Sequence, residues 1–143
     1  MIRLAQIPDQ PVWSELRYQL WPHESVAQHL ADLRAWEGKH GFQGWLAIED
    51  GKPIAFAEAT IRPFANGCDS QPVAFLEGIW VEEAWRKQGV GRSLVSAVEA
   101  WAKAKGIFEL GSDALIDNSL SLRVHQRWGF EEMERVVCFR KLC

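Results

Sequence analysis

Two stretches of the chain have a clear hydrophobic pattern. Residues 89–105 place apolar side chains on one face at helical spacing, which predicts an amphipathic helix that ends at Gly106. The nine residues of Val73–Val81 are largely apolar and carry a single charge at Glu77. This pattern predicts a largely buried strand, and it leaves the role of its one carboxylate to be explained.

The other segments predict strands and helices in mixed order. Asp50-Gly51 predicts a hairpin turn, and Ser25 with Gln28 forms a capping box that begins a helix. The predicted strands are residues 2–4, 45–49, 54–62, 73–81, 109–113 and one or two within 131–142. The predicted helices are residues 12–20, 25–37, 89–105 and 118–128. With no repeat or linker, residues 1–143 are expected to form one α/β (α+β) domain.

Composition narrows the class of protein. The chain has 143 residues, 48% of them hydrophobic and 24% charged, and its net charge of −3 does not favour nucleic acid. Its three cysteines form no C-x-x-C pair, so we expect neither a metal site nor a disulfide framework. A signal peptide and an apolar run of about 18 residues are both absent from the sequence, and we therefore expect a cytoplasmic protein without a membrane partner.

The junction between the long strand and the long helix suggests chemistry. It contains Arg86, Lys87, Gln88, Gly89, Val90, Gly91 and Arg92. Glycines expose backbone N–H groups, and the start of a helix adds unpaired N–H groups and the positive end of its dipole. These features suit a pyrophosphate, although a glycine-rich turn with solvated basic residues is the alternative. The pattern is neither a Walker loop nor G-x-G-x-x-G.

The motif Arg86-x-x-Gly89-x-Gly91 resembles the acetyl-CoA signature of the GNAT superfamily. Residues 118–130, in which an asparagine leads a helix that ends in Gly-Phe, resemble a later segment of the same family. Residues 66–70 and 75–79, with Leu20-Trp21-Pro22 and the 124–126 segment, resemble the type I aminoglycoside 6'-N-acetyltransferases. These pieces keep their order over nearly the whole chain.

The resemblance implies a GNAT fold with a mixed, mostly antiparallel sheet that is splayed near its centre and flanked by helices on both faces. Acetyl-CoA is expected to enter the splay beside the strand 73–81, and backbone N–H groups there would polarise the thioester carbonyl. The implied cofactor-binding residues are Ile79, Trp80, Val81, Arg86, Lys87, Gln88, Gly89, Val90, Gly91, Arg92 and Asn118.

Acetyl transfer to an amine needs a group that binds the ammonium ion and removes a proton. Glu77 is the outstanding candidate, because it is the only charge in an apolar strand beside the expected thioester. The alternative is that Glu77 points outward or pairs with an arginine. Asp113 is a second candidate for binding the ammonium ion, and the alternative is that it caps a helix or a turn. Many relatives carry a tyrosine where this chain has His125. This histidine is therefore a candidate to contact the departing sulfur, and the alternative is a solvated or capping histidine.

An aminoglycoside substrate requires aromatic faces and carboxylates. The expected substrate-binding residues are Trp21, Glu24, Phe64, Glu77, Asp113 and Glu134, with Asp69 in the same loop as Phe64. Phe64 stands where the resemblance leads us to expect tyrosine. The apolar residues 136–142 suggest a sheet edge that pairs in a homodimer. Two alternatives remain: a GNAT enzyme for another small amine or a protein amine, and a non-catalytic acyl-CoA-binding module.

Overall fold

The computed structural model describes residues 1–39 and 41–143. Five strands form one sheet in the order in which they occur in the chain. They are β1 (Ile2–Leu4), β2 (Gln43–Glu49), β3 (Lys52–Arg62), β4 (Val73–Val81) and β5 (Leu110–Gly111). The first four pair antiparallel, whereas β4 and β5 are parallel. The predicted mixed and mostly antiparallel sheet is confirmed.

Four helices cover the two faces of this sheet. They are α1 (Gln10–Leu20), α2 (Val26–Trp36), α3 (Val90–Ala104) and α4 (Ser119–Arg127). Leu94 and Val98 of α3 pack on one face of the sheet, together with alanines of β3. Trp13 of α1 and Leu33 of α2 pack on the other face around Phe56. Helices on both faces of the sheet were predicted, and this is confirmed.

Local sequence signals account for most helix boundaries. The Ser25 hydroxyl accepts a hydrogen bond from the Gln28 N–H at 3.0 Å and caps α2. The Asn118 side chain accepts one from the Ser121 N–H at 3.1 Å and caps α4. The Asp9 carboxylate does not cap α1. It accepts hydrogen bonds from Arg3 instead, and this guanidinium lowers the pKa of Asp9.

A β-bulge interrupts the pairing of β3 with β4. Glu58 lies opposite Gly78 and Ala59 opposite Leu76, so Glu77 is an extra residue that has no partner in β3. Side chains normally alternate between the two faces of a strand, and an extra residue changes this alternation. Leu76 packs with α3, whereas both Glu77 and Gly78 face the side of α1 and α2.

The sheet opens between its last two strands. β4 and β5 pair only at Ala74–Leu110 and Phe75–Gly111. Beyond these residues the chain after β5 leaves the sheet, so the second half of β4 has no strand beside it on that edge among the described residues. The sheet is splayed as predicted, but the splay lies between its last two strands and not near its centre, because residues 131–143 add no strand beyond β5.

The end of the chain differs from the prediction. β5 has two residues instead of the five of 109–113, and residues 131–143 contain no strand. A strand needs a hydrogen-bonding neighbour, and the single chain provides none along this exposed segment. The expectation of final strands within 131–142 was therefore wrong for the single chain. None of the helices in residues 1–39 and 41–143 is long and apolar enough to cross a membrane.

Candidate active site

A cavity of about 510 Å³ lies between the α1–α2 pair and the strands β3 and β4. Four carboxylates, three large aromatic rings and several other polar groups line it. They are Arg17, Trp21, His23, Glu24, His29, Asp32, Trp36, Lys39, Phe42, Glu58, Thr60 and Glu77. The cavity brings together Trp21, Glu24 and Glu77 of the expected site residues. Its mixture of carboxylates and aromatic faces suits a cationic ligand.

Glu77 enters the cavity from the bulge and is held by two side chains of β3. One of its carboxylate oxygens accepts hydrogen bonds from the Thr60 hydroxyl at 2.6 Å and from Arg62 Nε at 2.9 Å. Its other oxygen, Oε2, accepts one from Arg62 Nη2 at 2.7 Å. Glu77 therefore pairs with an arginine, which the sequence analysis gave as the alternative to a catalytic role. A carboxylate has about four acceptor positions, so Oε2 keeps one for a further donor.

Arg62 itself has a fixed position. Its guanidinium carbon lies 3.6 Å from the centroid of the Phe75 ring, while its two nitrogens reach both oxygens of Glu77. A bidentate arginine–carboxylate pair defines the plane of the carboxylate as well as its distance. The orientation of Glu77 is therefore set before any ligand binds.

A second carboxylate lies at the bottom of the cavity. Glu58 is buried, and both of its oxygens accept hydrogen bonds from Arg17 Nη1 at 2.5 Å. The Trp13 indole N–H donates to the same carboxylate at 2.8 Å. Burial raises the pKa of Glu58, and the charge and hydrogen bonds of Arg17 together with the Trp13 N–H oppose that rise. The charge of Glu58 is thus matched by an internal cation.

Trp21 forms a wall of the cavity and lies directly on β4. A Cβ atom on Gly78 would be only 2.3 Å from Cη2 of the Trp21 ring. The position therefore requires glycine, since any side chain there would displace the ring. The bulge that turns Gly78 toward Trp21 also turns Glu77 into the cavity, so the two features have one origin.

The turn before α3 has the geometry of an anion site. Gly89 adopts a left-handed conformation with φ 85°, and a Cβ there would meet nothing within 4 Å. The first hydrogen bond of the helix runs from the Ser93 N–H to the Gly89 carbonyl, so the N–H groups of Val90, Gly91 and Arg92 precede it. Open space beside unpaired N–H groups fits the pyrophosphate of acetyl-CoA.

The other predicted residues of this turn have mixed roles. Lys87 also has a positive φ, of 62°, and Gln88 donates to the Ala84 carbonyl at 3.0 Å. Arg86 Nε donates to the Val81 carbonyl at 2.8 Å and so joins the turn to the end of β4. Arg92 donates to the Arg127 carbonyl at the end of α4. Arg86 and Arg92 therefore brace the turn as well as making its surroundings positive.

Three predicted residues lie in the part of β4 that borders the splay. Ile79 and Val81 pack toward α3, and Trp80 packs toward α1. Their side chains therefore pack in the cores on the two faces of the sheet. At the open edge of β4 these residues expose only backbone groups. That β4 binds a ligand through its N–H and carbonyl groups stays a prediction.

His125 lies across the splay in α4, and both of its ring nitrogens have partners. Nδ1 is 2.7 Å from the Ser121 carbonyl, which can only accept, so Nδ1 carries the proton. Nε2 then accepts from the Ser112 hydroxyl at 2.7 Å. The group beside the splay is therefore a Ser112–His125 pair, and Asn118 acts as the helix cap of the same element.

The remaining expected residues do not line the cavity. Asp113 is exposed in the chain after β5, and Phe64 is exposed in the loop after β3. Glu134 is exposed, and its Cγ would lie 4.0 Å from a Cβ on Gly67, so the end of the chain passes this loop.

Glu109 organises the 63–72 loop. Its carboxylate accepts hydrogen bonds from the backbone N–H groups of Ser70 at 2.7 Å and Asp69 at 2.9 Å. These hydrogen bonds hold the pKa of Glu109 below its usual value, and the Ser70 bond contributes most. The loop that carries Phe64 and Asp69 is therefore fixed at one end by a carboxylate that the sequence analysis did not identify.

Known proteins are similar to this chain over most of its length. The acetyltransferase (GNAT) family model matches residues 9–130. The chain is 46% identical over 132 residues to an aminoglycoside N(6')-acetyltransferase type 1 of Salmonella typhimurium, covering 92% of this chain and 91% of that protein. It is 42% identical over 143 residues to the protein of the same name from Serratia marcescens, covering 99% and 98%.

Solved structures agree with these sequence matches. Aminoglycoside N-acetyltransferase AAC(6')-Iy in complex with CoA superposes with a TM-score of 0.95 at 43% identity, covering 100% of this chain and 95% of that one. The structure of AAC(6')-Iy with the bisubstrate analog CoA-S-monomethyl-acetylneamine has a TM-score of 0.94 at 43% identity and covers 100% and 98%.

The anion site is testable with a matched pair of variants at Gly89. Asn and Asp have similar size and both tolerate a left-handed backbone, but only Asp adds a charge. Gly89→Asp is expected to weaken acetyl-CoA binding on the order of 100-fold relative to Gly89→Asn, since like charges about 6 Å apart repel by roughly 3 kcal/mol at an effective dielectric of 20. Isothermal titration calorimetry measures both affinities.

Equal affinities for the two variants would contradict the anion site. Gly91 is the poorer test position, because a Cβ there would lie 2.7 Å from the Trp128 ring and would disturb packing.

Proposed function

The chain belongs to the acetyltransferase (GNAT) family, and we propose that it moves the acetyl group of acetyl-CoA to the 6'-amine of aminoglycoside antibiotics and so confers resistance to them. The observation that carries this function is the cavity in which Glu77 and Trp21 meet beside the open edge of β4. A cationic sugar amine fits the cavity, and an acyl-CoA fits the splay next to it.

Substrate recognition divides between charge and stacking. Glu24 and Asp32 line the cavity without an internal arginine partner in the described structure, so they are available to ammonium groups. The aromatic rings of Trp21, Trp36 and Phe42 offer faces to sugar rings and to cations. A substrate with several ammonium groups therefore gains more from this cavity than a monoamine does.

Glu77 receives the reacting nitrogen. Its Oε2 has a remaining acceptor position, and the Arg62 pair keeps that oxygen in a defined direction. Glu77 accepts a proton from the ammonium group, directly or through water, and the neutral amine then attacks the thioester carbon. The attack forms a tetrahedral intermediate, in which the carbonyl oxygen carries the negative charge. When this intermediate collapses the carbon–sulfur bond breaks, and the second proton of the nitrogen passes to the departing thiolate, which leaves the amide and the CoA thiol.

The rest of the reaction depends on the borders of the splay. Backbone N–H groups near Ile79–Val81 donate to the developing oxyanion, a type of interaction worth about 3 kcal/mol per donor. The turn at Gly89 and Gly91 holds the pyrophosphate. The departing thiolate leaves at the border that His125 and Ser112 form.

Asp113, Phe64 and Glu134 extend the substrate site in this proposal. Asp113 directly follows Ser112 at the far border of the splay, and Glu134 passes close to Gly67 in the loop that carries Phe64. In this proposal these groups contact the outer rings of the aminoglycoside. We place the protein in the cytoplasm, where acetyl-CoA is available.

We further propose a homodimer formed through the end of the chain. Val137, Phe139 and Leu142 are more than three-quarters exposed in the single chain, and the segment has no strand partner there. Exposed apolar residues in an extended segment favour pairing with a second copy, which would supply the missing neighbour. Such pairing would also carry Glu134 into a shared interface.

Glu77→Gln tests the proposed base, because it keeps the shape of the side chain and removes its charge. We expect kcat/KM for tobramycin to fall about 10²- to 10⁴-fold, the range typical of a general base. Steady-state release of CoA thiol measures the rate, and acetyl-CoA affinity serves as the control because it should not change. A loss below about threefold would show that Glu77 is structural.

The position of acetylation tests the function itself. Kanamycin and tobramycin should be acetylated at the 6'-amine, and product NMR and mass spectrometry identify the nitrogen. An analogue with a 6'-hydroxyl keeps most of its cationic groups but offers Glu77 no ammonium ion, so it should bind without turnover. Acetylation of a deoxystreptamine amine would contradict the proposal, as would brisk turnover of a polyamine with none of any aminoglycoside.

The dimer is tested by Phe139→Asp with Phe108→Asp as its matched control. Both phenylalanines are at least 80% exposed, but only Phe139 lies in the terminal segment. Light scattering should give about twice the 16.3 kDa chain mass for the unmodified protein and for Phe108→Asp. Phe139→Asp should give the single-chain mass. A 16.3 kDa species for the unmodified protein at micromolar concentration would reject the dimer.

A further inference from the structure

Three buried polar side chains connect β3, α1 and α2 beneath the cavity. Glu58, Arg17 and His29 are each at most 4% exposed. Glu58 binds Arg17 Nη1, and Arg17 Nε donates to His29 Nδ1 at 3.2 Å. His29 Nε2 lies 3.0 Å from the backbone carbonyl of Trp21. The chain of hydrogen bonds thus begins in the sheet and ends at the residue that forms the wall of the cavity.

The direction of these bonds fixes the state of the His29 ring. Arginine can only donate, so Nδ1 of His29 is the acceptor and carries no proton. The Trp21 carbonyl can only accept, so Nε2 carries the proton and donates. His29 is therefore the neutral Nε2–H tautomer, the opposite of the Nδ1–H tautomer that the contacts of His125 require.

Trp21 is held at both its backbone and its ring. Its carbonyl accepts from His29, and its N–H donates to the Arg17 carbonyl at 2.8 Å. Its ring lies 4.8 Å from the Arg17 guanidinium carbon and rests on the backbone of Gly78. Arg17 touches the ring and also binds the histidine that holds the carbonyl, so moving Arg17 would release Trp21 from both.

Stability alone is a weak reason for such a network. Burying an ion pair has a desolvation cost, and well-packed apolar residues are often as stable. The Arg17 cation also cancels the charge of Glu58, so this carboxylate is not free for a substrate ammonium group although it borders the cavity. What the network does supply is a defined position for Trp21.

We propose that Glu58, Arg17 and His29 are positioning residues that hold Trp21 as the wall of the amine pocket and thereby set its affinity for the acceptor. This inference rests on the proposed function for the identity of the acceptor, an aminoglycoside. The placement of Trp21 itself is a property of the free protein and does not depend on turnover.

The first test measures the tautomer of His29 in the free protein. Long-range ¹H–¹⁵N correlation spectra distinguish Nε2–H from Nδ1–H rings, and the loss of one set of signals in His29→Gln assigns the residue. We expect Nε2–H for His29 and Nδ1–H for His125, which is the internal reference. An Nδ1–H or doubly protonated His29 at neutral pH would overturn the network.

The second test separates position from fold. His29→Leu removes both hydrogen bonds, whereas His29→Gln offers an amide N–H and an oxygen in similar places. In His29→Leu the Trp21 indole signal should shift, while those of Trp45 and Trp101, which pack together on the α3 side, should not. Tobramycin affinity by calorimetry should fall about tenfold, the effect of losing one or two hydrogen bonds, and His29→Gln should recover most of it.

The kinetic result distinguishes this inference from the proposed function. The KM for tobramycin in His29→Leu should rise about tenfold, with kcat and the KM for acetyl-CoA changed less than about threefold. An unshifted Trp21 signal, or an unchanged tobramycin affinity in a folded His29→Leu protein, would overturn the inference. If the unmodified protein did not acetylate tobramycin, the proposed function would fail while the tautomer and indole measurements still decided the network.

Discussion

The active-site cavity depends on the β-bulge in β4, where Glu77 has no partner in β3. Because of this extra residue, the successive positions Glu77 and Gly78 both face the same side of the sheet. Without this bulge, Gly78 would face α3 and Trp21 would have no flat backbone to rest on. The carboxylate and the aromatic wall are therefore coupled through the backbone, and a shift in register would remove both together. The buried contacts of Leu76 and Ile79 on the opposite face hold that register in place.

Two of the four carboxylates in the cavity are paired with an arginine and two are not. Which ones are paired follows from the register of β3 and β4. Glu58 and Glu77 each have an internal arginine, and in β3 the side chains of Glu58, Thr60 and Arg62 alternate onto one face. The outer acids, Glu24 and Asp32, have no such partner in the described structure. The inner carboxylates are consequently oriented and the outer ones are available, which suits a site that must attract a polycation and align one of its nitrogens.

The sequence was sufficient for most helices and strands and for the glycine turn before α3, because these depend on local patterns. The strand 73–81 and the helix 89–105 were predicted to within a residue, and the turn between them contains Gly89, whose φ is positive. The sequence did not reveal Arg17, His29 or Arg62, since their partners are 8 to 41 residues away and depend on strand register and helix rotation. One signal was available: a glutamate and an arginine at alternate positions of β3 indicated a polar face. The prediction of final strands within 131–142 was wrong for a different reason. A strand needs a pairing partner, and the sequence of the segment itself does not show whether one is present.

The turn at Gly89 and the Ser112–His125 pair are also mechanically connected. Gly91 packs against the Trp128 ring, and Arg92 donates to the Arg127 carbonyl, so the start of α3 is bound to the end of α4. His125 lies one turn earlier in α4, and its ring is tilted against the same Trp128 ring, with 5.5 Å between centroids. The turn at Gly89 and the Ser112–His125 pair are therefore joined by a short, packed path through α4. In the proposed function these two borders hold the pyrophosphate and the thioester of acetyl-CoA. Because α4 contacts both of them, it fixes their relative position while the sheet between them is open.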